Sequence, residues 1–326
     1  MACASLPGVN AMHPGEEPVT VNTVATPVLD LEVEVAGPPG APPVLLLHGW
    51  PDSPRGWLPV AAALHAAGWR TIIPSLRGCG GTRFRSPDTP RDGRGVALAQ
   101  DAIDLLDALG LESVPVVGHD WGARAAYTLG SLYPERIVSL TALALPYQPR
   151  GAFAIPPFRQ ARAFWYQWLM CLDAGAAAVA ADPAGFARLQ WETWSPPGWY
   201  DDAEFAATAA SFSNPDWVPV TLNAYRSRFL PGEARDLRYE VLTARLAAST
   251  QVSVPALMLQ GAEDYCDEPA ASEGQAGFFT AGYRREVIEG AGHFPHREAP
   301  AQVAAAVLAH LGTPGGGAGP PGTRPA

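Results

Sequence analysis

Three residues lie far apart in the chain, and each directly follows an apolar run. Asp120 stands in "GHDWGA", Asp264 in "GAEDYCDEP" and His293 in "GAGHFPHRE". Gly118 and Gly122 flank Asp120, a spacing that lets a strand turn sharply into a helix. The central side chain is then lifted to the helix N-terminus, where partial positive charge steadies an anion. A plain N-cap aspartate is the structural alternative. An ordinary aspartate has a pKa of about 3.9, so it is an anion at neutral pH without help. It can attack a saturated carbon and form an alkyl ester of the protein itself. It suits an acyl carbon poorly, because the product would be an anhydride. A histidine oriented by a carboxylate can then activate water to release that ester.

Asp264 is the expected carboxylate partner rather than Glu263 or Asp267, because it sits in the Gly-x-x-Asp turn after its strand. His296 is the weaker candidate base, three residues beyond His293 in the same loop. The run ending at Pro146 is followed by Tyr147 and Gln148, so no acid competes from there.

The elements that must position these residues can be read from apolar periodicity. "PPVLLLHGW" is a short buried strand, followed by a helical "WLPVAAALHAAG" and a strand in "WRTIIPSL". "GVALAQDAIDLLDALG" spaces its apolar residues three and four apart, as an amphipathic helix ended by Gly110. "VPVVG" is a strand, "ARAAYTLGSLYP" a helix and "IVSLTALALP" a strand. The rhythm resumes with strand "VPALMLQG", a helix near 268–279, strand "YRREVIEG" and helix "APAQVAAAVLAHLG". Strands alternating with helices predict an α/β fold with a mostly parallel central sheet flanked by helices. Residues 18–148 and 251–311 form that core, and 149–250 form an inserted helical cap. The cap holds six of the ten tryptophans: Trp165, Trp168, Trp191, Trp194, Trp199 and Trp217. They pack the cap's own core, line a pocket, or do both. Residues 1–17 are expected to be flexible, and the Gly/Pro-rich 312–326 to be disordered.

Composition narrows the classes of function. The 326 residues are 48% hydrophobic, enough for one large domain with an insertion. The formal net charge is −10 with no basic patch, which argues against a nucleic-acid partner. No run approaches the roughly 18 apolar residues of a membrane span, and no secretory signal is read at the N-terminus. Cys3, Cys79, Cys171 and Cys266 match no metal-ligand spacing and read as reduced thiols of a cytoplasmic protein. All 22 cationic residues are arginine, which with the Ala, Gly and Pro excess points to coding bias. No metal cluster or nucleotide-binding loop is visible, so no cofactor is expected; a homodimer is compatible with the sequence.

"HGWP" at residues 48–51 and "GHDWGA" together resemble motifs of the α/β-hydrolase superfamily, in its epoxide hydrolase and haloalkane dehalogenase branch. The chain order nucleophile, acid, base is that of such hydrolases. The resemblance spans roughly residues 18–311. It implies an α/β-hydrolase fold, with Asp120 as nucleophile and Asp264 and His293 driving hydrolysis. The backbone N–H groups of Trp50 and Trp121 would form the oxyanion hole. "FWYQWLM" resembles the first lid-tyrosine motif of epoxide hydrolases, and "LNAYRSRF" offers the second. Tyr166 and Tyr225 would thus bind the epoxide oxygen and protonate the opening alkoxide. The alternative is that both are ordinary amphipathic lid residues. His48, Trp50, Trp121, Gln167 and Trp168 complete the candidate substrate contacts. The expected partners are a small apolar epoxide, or a halogenated compound, and water.

The runner-up is a dehalogenase, with the Trp121 and Trp168 indoles as halide donors. "GHDWGAR" also resembles the fluoroacetate dehalogenase elbow, in which Arg124 would hold a carboxylate. Trp121 stands where that subfamily carries a second arginine, and Gln167-Trp168 where it carries His-Trp. Arg124 otherwise makes a structural ion pair. A hydrolase-fold binding protein without turnover is the remaining class, and the retained Asp120, Asp264 and His293 argue against it. Ser131 lies down the following helix and does not fit a serine esterase.

Overall fold

The computed structural model describes residues 20–314. The expectations for residues 1–17 and for the tail beyond residue 314 lie outside the described residues. Nine strands make one sheet: β1 (Thr20–Ala25), β2 (Leu29–Ala36), β3 (Pro43–Leu47), β4 (Arg70–Pro74), β5 (Arg83–Phe84), β6 (Val114–His119), β7 (Ile137–Leu143), β8 (Ala256–Gly261) and β9 (Tyr283–Ile288). Their order is β1-β2-β4-β3-β6-β7-β8-β9, with β5 paired to β2. From β4 to β9 every pairing is parallel. The central strands β6 and β8 are buried along their whole length, as strands covered on both faces must be. β1, β2 and β5 add an antiparallel margin that the apolar runs do not announce. β2 alternates buried and half-buried residues, so only one of its faces is fully covered.

Helices α1 (Leu58–Ala66), α2 (Gly95–Ala108) and α3 (Trp121–Leu132) connect the core strands, and α11 (Pro295–Glu298) and α12 (Pro300–Leu311) close the chain. The predicted helix near 268–279 does not form. Two single 3₁₀ turns, Pro269–Ser272 and Gln275–Phe278, stand there instead. Gly274 between them sits at φ 68°, a left-handed conformation that ends helical propagation.

Between β7 and β8 come α4 (Phe158–Ala163), α5 (Trp165–Cys171), α6 (Asp173–Ala181), α7 (Pro183–Thr193), α8 (Asp202–Ala209), α9 (Trp217–Arg226) and α10 (Glu240–Ala248). Asp182 caps α7 by accepting from Gly185 N at 2.8 Å, and Asp201 caps α8 from Glu204 N at 2.8 Å. Each such cap contributes about 1 kcal/mol. The helical segment shares its apolar core with the sheet. Trp50 and Trp121 belong to the same buried cluster as Tyr166, Trp194, Trp217 and Tyr225.

Register decides where the chemistry collects. Leu47 pairs with Gly118, Gly118 with Ala142, Leu143 with Leu259, and Gly261 with Ile288. The C-terminal ends of β3, β6, β8 and β9 therefore meet at one sheet edge. The loops that leave them carry His48–Asp52, Asp120, Asp264 and His293.

Candidate active site

Asp120 occupies a strained turn between β6 and α3, at φ 47° and ψ −108°. A non-glycine residue held there stores roughly 1–3 kcal/mol, which the surrounding packing must offset. Two glycines make the turn sterically feasible. A Cβ at Gly118 would lie 2.2 Å from Gly122 O, and one at Gly122 would lie 2.1 Å from Leu47 O. Asp120 N donates to Leu143 O at 3.1 Å, which ties the turn to β7.

The carboxylate is nearly buried and asymmetrically bound. Oδ1 accepts from Trp50 N at 2.8 Å, and Oδ2 lies 4.0 Å from His293 Nε2. Burial pushes the Asp120 pKa up; His293, the Trp50 N–H, Arg124 and the Trp121 N–H pull against it. The two backbone N–H groups expected for an oxyanion hole therefore both act on this carboxylate.

His293 Nδ1 donates to Asp264 at 3.1 and 3.0 Å, which leaves Nε2 as the exchangeable nitrogen, with no hydrogen-bond partner. Asp264 is itself fixed by Cys266 N and Asp267 N at 2.9 Å and by Gln260 Nε2 at 2.9 Å. Burial alone would lower the imidazole pKa. Asp264, by charge and hydrogen bond, and then Asp120 and Asp267 outweigh it and lift His293 to about 9. The Asp267 carboxyl is pushed up to about 7 by burial and then by the charge of Asp264.

Sequence reasoning missed the groups that hold this histidine. His293 N donates to Ser195 Oγ at 2.9 Å, and Ser195 Oγ donates to Glu298 Oε1 at 2.7 Å. His119 Nε2 donates to the His293 carbonyl at 2.8 Å. Glu298 and His119 are neighbours of the motifs and could have been suspected. Ser195 follows α7, and nothing in its sequence context points to His293.

Trp50 is the hub of the opposite wall. Its indole donates to Thr221 Oγ1 at 3.0 Å. Its ring stacks on Trp121, Tyr166 and Trp217 at 6.2, 5.7 and 6.0 Å, and Tyr225 meets it edge-on at 5.2 Å. Tyr166 and Tyr225 cross at 5.3 Å between ring centres. Each phenolic oxygen accepts a bond: Tyr166 from Gln167 Nε2 at 3.1 Å, Tyr225 from Trp121 Nε1 at 3.2 Å. A phenol that accepts still has its own hydrogen to give. Burial first, then neighbouring groups including Asp120, raise both pKa values well above the usual phenol range, so both stay protonated donors.

Several candidate contacts take other roles. His48 is buried with both ring nitrogens engaged, Nδ1 to Gly49 O at 2.9 Å and Nε2 accepting from Leu76 N at 3.0 Å. It braces the loop after β3 and has no nitrogen left for a ligand. Trp168 spends its indole N–H on Ala161 O at 3.3 Å and packs on Phe153 and Phe229. Gln167 acts on Tyr166 and accepts from Arg228 Nη1 at 2.9 Å, so it positions the phenol. The Trp121 indole is committed to Tyr225. His296 bonds Asp52 Oδ2 at 3.1 Å, away from Asp120. Arg124 makes no ion pair among the described residues, against the structural expectation for it.

One group among the described residues brings possible metal ligands together, Asp52, His119 and His296, within 4.8 Å of one another. Arg297 already bonds Asp52 Oδ1 at 2.6 Å, and that cation opposes a second one. Cys79, Cys171 and Cys266 are free thiols. No described helix is long and apolar enough to cross a membrane.

Residues 42–300 match the model of the alpha/beta hydrolase fold family. The chain belongs to the α/β-hydrolase fold family. This α/β hydrolase is of the epoxide hydrolase type, as its relatives show. It is 30% identical to Epoxide hydrolase A of Mycobacterium tuberculosis, over 90% of this chain and 97% of the relative. It is 29% identical to Epoxide hydrolase 3 of Siraitia grosvenorii, over 88% of this chain and 95% of that protein. A crystal structure from Klebsiella pneumoniae, provisionally described as an epoxide hydrolase, superposes with a TM-score of 0.80 at 34% identity, covering 91% and 97% of the two chains.

Proposed function

We propose that this α/β hydrolase opens an epoxide to a vicinal diol through an alkyl ester on Asp120. The observation that carries it is the division of labour at Asp120: Oδ1 is held by Trp50 N–H, while Oδ2 faces the unpartnered His293 Nε2 at 4.0 Å. Oδ2 attacks an epoxide carbon, the C–O bond of the ring breaks, and a phenol of Tyr166 or Tyr225 gives its proton to the departing oxygen. Oδ1 becomes the ester carbonyl oxygen, already seated on the Trp50 N–H, with the Trp121 N–H also acting on the carboxyl group. Water between His293 and the ester then attacks the carbonyl carbon and loses a proton to Nε2. The tetrahedral intermediate expels the diol, which takes up that proton; the carboxylic acid left on Asp120 returns water's remaining proton to the phenolate, and the carboxylate is restored with one oxygen from water.

Electrostatics time the two steps. Before alkylation the Asp120 charge helps keep His293 protonated, with the imidazole near 9. Esterification removes that charge, so His293 becomes easier to deprotonate when its role as base begins. Both candidate halide donors are committed elsewhere, Trp121 to Tyr225 and Trp168 to Ala161, which disfavours the dehalogenase.

The test is His293→Gln incubated with a panel of epoxides and haloalkanes, followed by intact mass and peptide mapping. The expected result is an adduct on Asp120 from an epoxide with no halide release. Adducts from haloalkanes alone would move the assignment to dehalogenation. The double variant Tyr166→Phe, Tyr225→Phe should lose epoxide opening; full retention would remove the phenols from the mechanism.

A further inference from the structure

A cavity of about 410 Å³ lies where α3, the loop after β7, the end of α9 and α10 meet. Its size is that of a small-ligand site. Four arginines stand on its wall, Arg94, Arg124, Arg150 and Arg228, and no acidic residue does. In a chain with 32 acidic residues against 22 arginines, that inversion is local. Arg94 is neutralised by Asp92 at 2.7 Å and Glu240 at 3.4 Å. Arg124, Arg150 and Arg228 have no carboxylate within ion-pair distance among the described residues. Arg124 Nε and Arg228 Nη2 are buried without any hydrogen-bond partner. Leaving buried guanidinium N–H groups unmet is costly unless something else meets them. The first turn of α2, at Gly95 and Val96, also borders the cavity and adds the positive end of a helix dipole. Gly95 gives Arg124 its path, since a Cβ there would lie 2.9 Å from the Arg124 stem.

Two of the cavity's arginines contact the supports of the reacting groups. Arg124 is one helical turn from the nucleophile, its N–H donating to Asp120 O at 2.9 Å. Arg228 lies 4.7 Å from the Tyr225 ring and bonds the Gln167 that holds Tyr166. Burial, and then the charge of Arg124, pull the Arg228 guanidinium down to about 10, the signature of two cations held together without an anion.

We propose that this cavity is a carboxylate-binding subsite, and that the substrate is an epoxide bearing a carboxylate several bonds from the ring. This rests on the epoxide reading above. Arg124 and Arg228 grip the carboxylate, with Arg150 at the rim. The separation between carboxylate and ring is set by the single turn, about 5–6 Å, from Arg124 back to Asp120.

Two measurements test it. Calorimetric titration with hexanoate and with hexanamide probes the subsite without epoxide chemistry. Hexanoate should bind at least about tenfold more tightly than hexanamide, and Arg124→Gln or Arg228→Gln should erase that difference. Arg150→Gln, at an exposed position that cannot upset the core, should narrow it by a few fold. The second measurement is the ratio of kcat/KM for an ω-epoxy carboxylate over its primary amide, expected above about ten in the wild type and falling toward one in the variants. Equal binding of hexanoate and hexanamide, or a ratio untouched by the variants, would overturn the subsite. Hexanoate binding with no adduct on Asp120 from any epoxide would sink the epoxide reading and keep the subsite.

Discussion

Two buried Asp–His pairs lie close together and do opposite things. Asp264–His293 and Asp52–His296 have similar spacings, 3.0 and 3.1 Å. Their histidines are three residues apart, and His119 lies between the two rings, 5.4 Å from one and 4.3 Å from the other. A cation makes the difference. Arg297 joins Asp52 at 2.6 Å and Glu204 at 2.7 Å, and Glu204 reaches Arg55 at 2.8 Å. Asp52 is thereby held well below the usual carboxylate range despite its burial, chiefly by Arg297. His296, in turn, is lowered by burial. Asp264 bonds only N–H donors and His293, with no arginine in ion-pair contact among the described residues, and its charge lifts the imidazole. A carboxylate partner alone therefore does not raise a histidine's pKa. The proposed base, His293, has an uncompensated carboxylate and a second nitrogen facing Asp120.

The comparison is broken most severely at the histidines. His293→Gln should lower turnover by about 10⁴-fold or more while the alkyl ester accumulates. His296→Gln should keep turnover and form no stable adduct. An ester trapped in the His296 variant would erase the distinction.

The carboxylates give the next largest contrast. Asp264→Asn should cost about 10²–10⁴ in turnover through loss of imidazole orientation, with a modest change in Tm. Asp52→Asn strips a buried cation of its main partner, so its cost should be in stability, about 3 kcal/mol or roughly 6–12 °C. Thermal melts beside steady-state rates separate the two.

The pH dependence sharpens the contrast further. His293 has a raised folded pKa, so its stabilisation is full below the unfolded value of about 6.5 and is lost as pH rises through about 9. The Tm advantage of wild type over His293→Gln should therefore shrink between about pH 7 and pH 9.5. His296 has a lowered folded pKa, so the sign reverses: its neutral form suits the fold, and stability falls as pH drops through about 6.5. The advantage over His296→Gln should shrink on acidification. Parallel profiles for the two variants would contradict the assignment.

Asp267 offers the smallest effect. Its pKa is raised to about 7, so its stabilising contribution is lost as pH rises from the unfolded value of about 3.9 to about 7, and is constant above. Asp267→Asn should raise Tm by a degree or two above about pH 8, by less near pH 5, and leave it unchanged below about pH 4. It should also lower the pH at which the alkyl ester begins to hydrolyse, because one anion near His293 is gone.

Much of this was legible in the residues. The core strands announce themselves as apolar runs, and the Gly-x-Asp-x-Gly spacing announces the turn at Asp120. The antiparallel β1–β2 margin escaped, because half-covered strands alternate and lack a continuous apolar run. The expected helix near 268–279 failed because a left-handed glycine interrupts it. His48 and Trp168 sat in suggestive motifs, yet short contacts within the fold had already claimed their nitrogens.

The sequence by itself determined which side chains could react, because a carboxylate flanked by glycines after a buried strand commits the chain locally to that turn. It favoured His293 over His296 by position in the loop alone, and it could not assign Arg124 or Arg228. Those roles depend on which charges meet across separations of a hundred residues or more. Only the tertiary structure brought Arg297 to Asp52, kept cations from Asp264, and gathered three unpaired arginines around one cavity. A pKa and a free hydrogen bond belong to the surroundings of a side chain, and the chain acquires those surroundings only on folding.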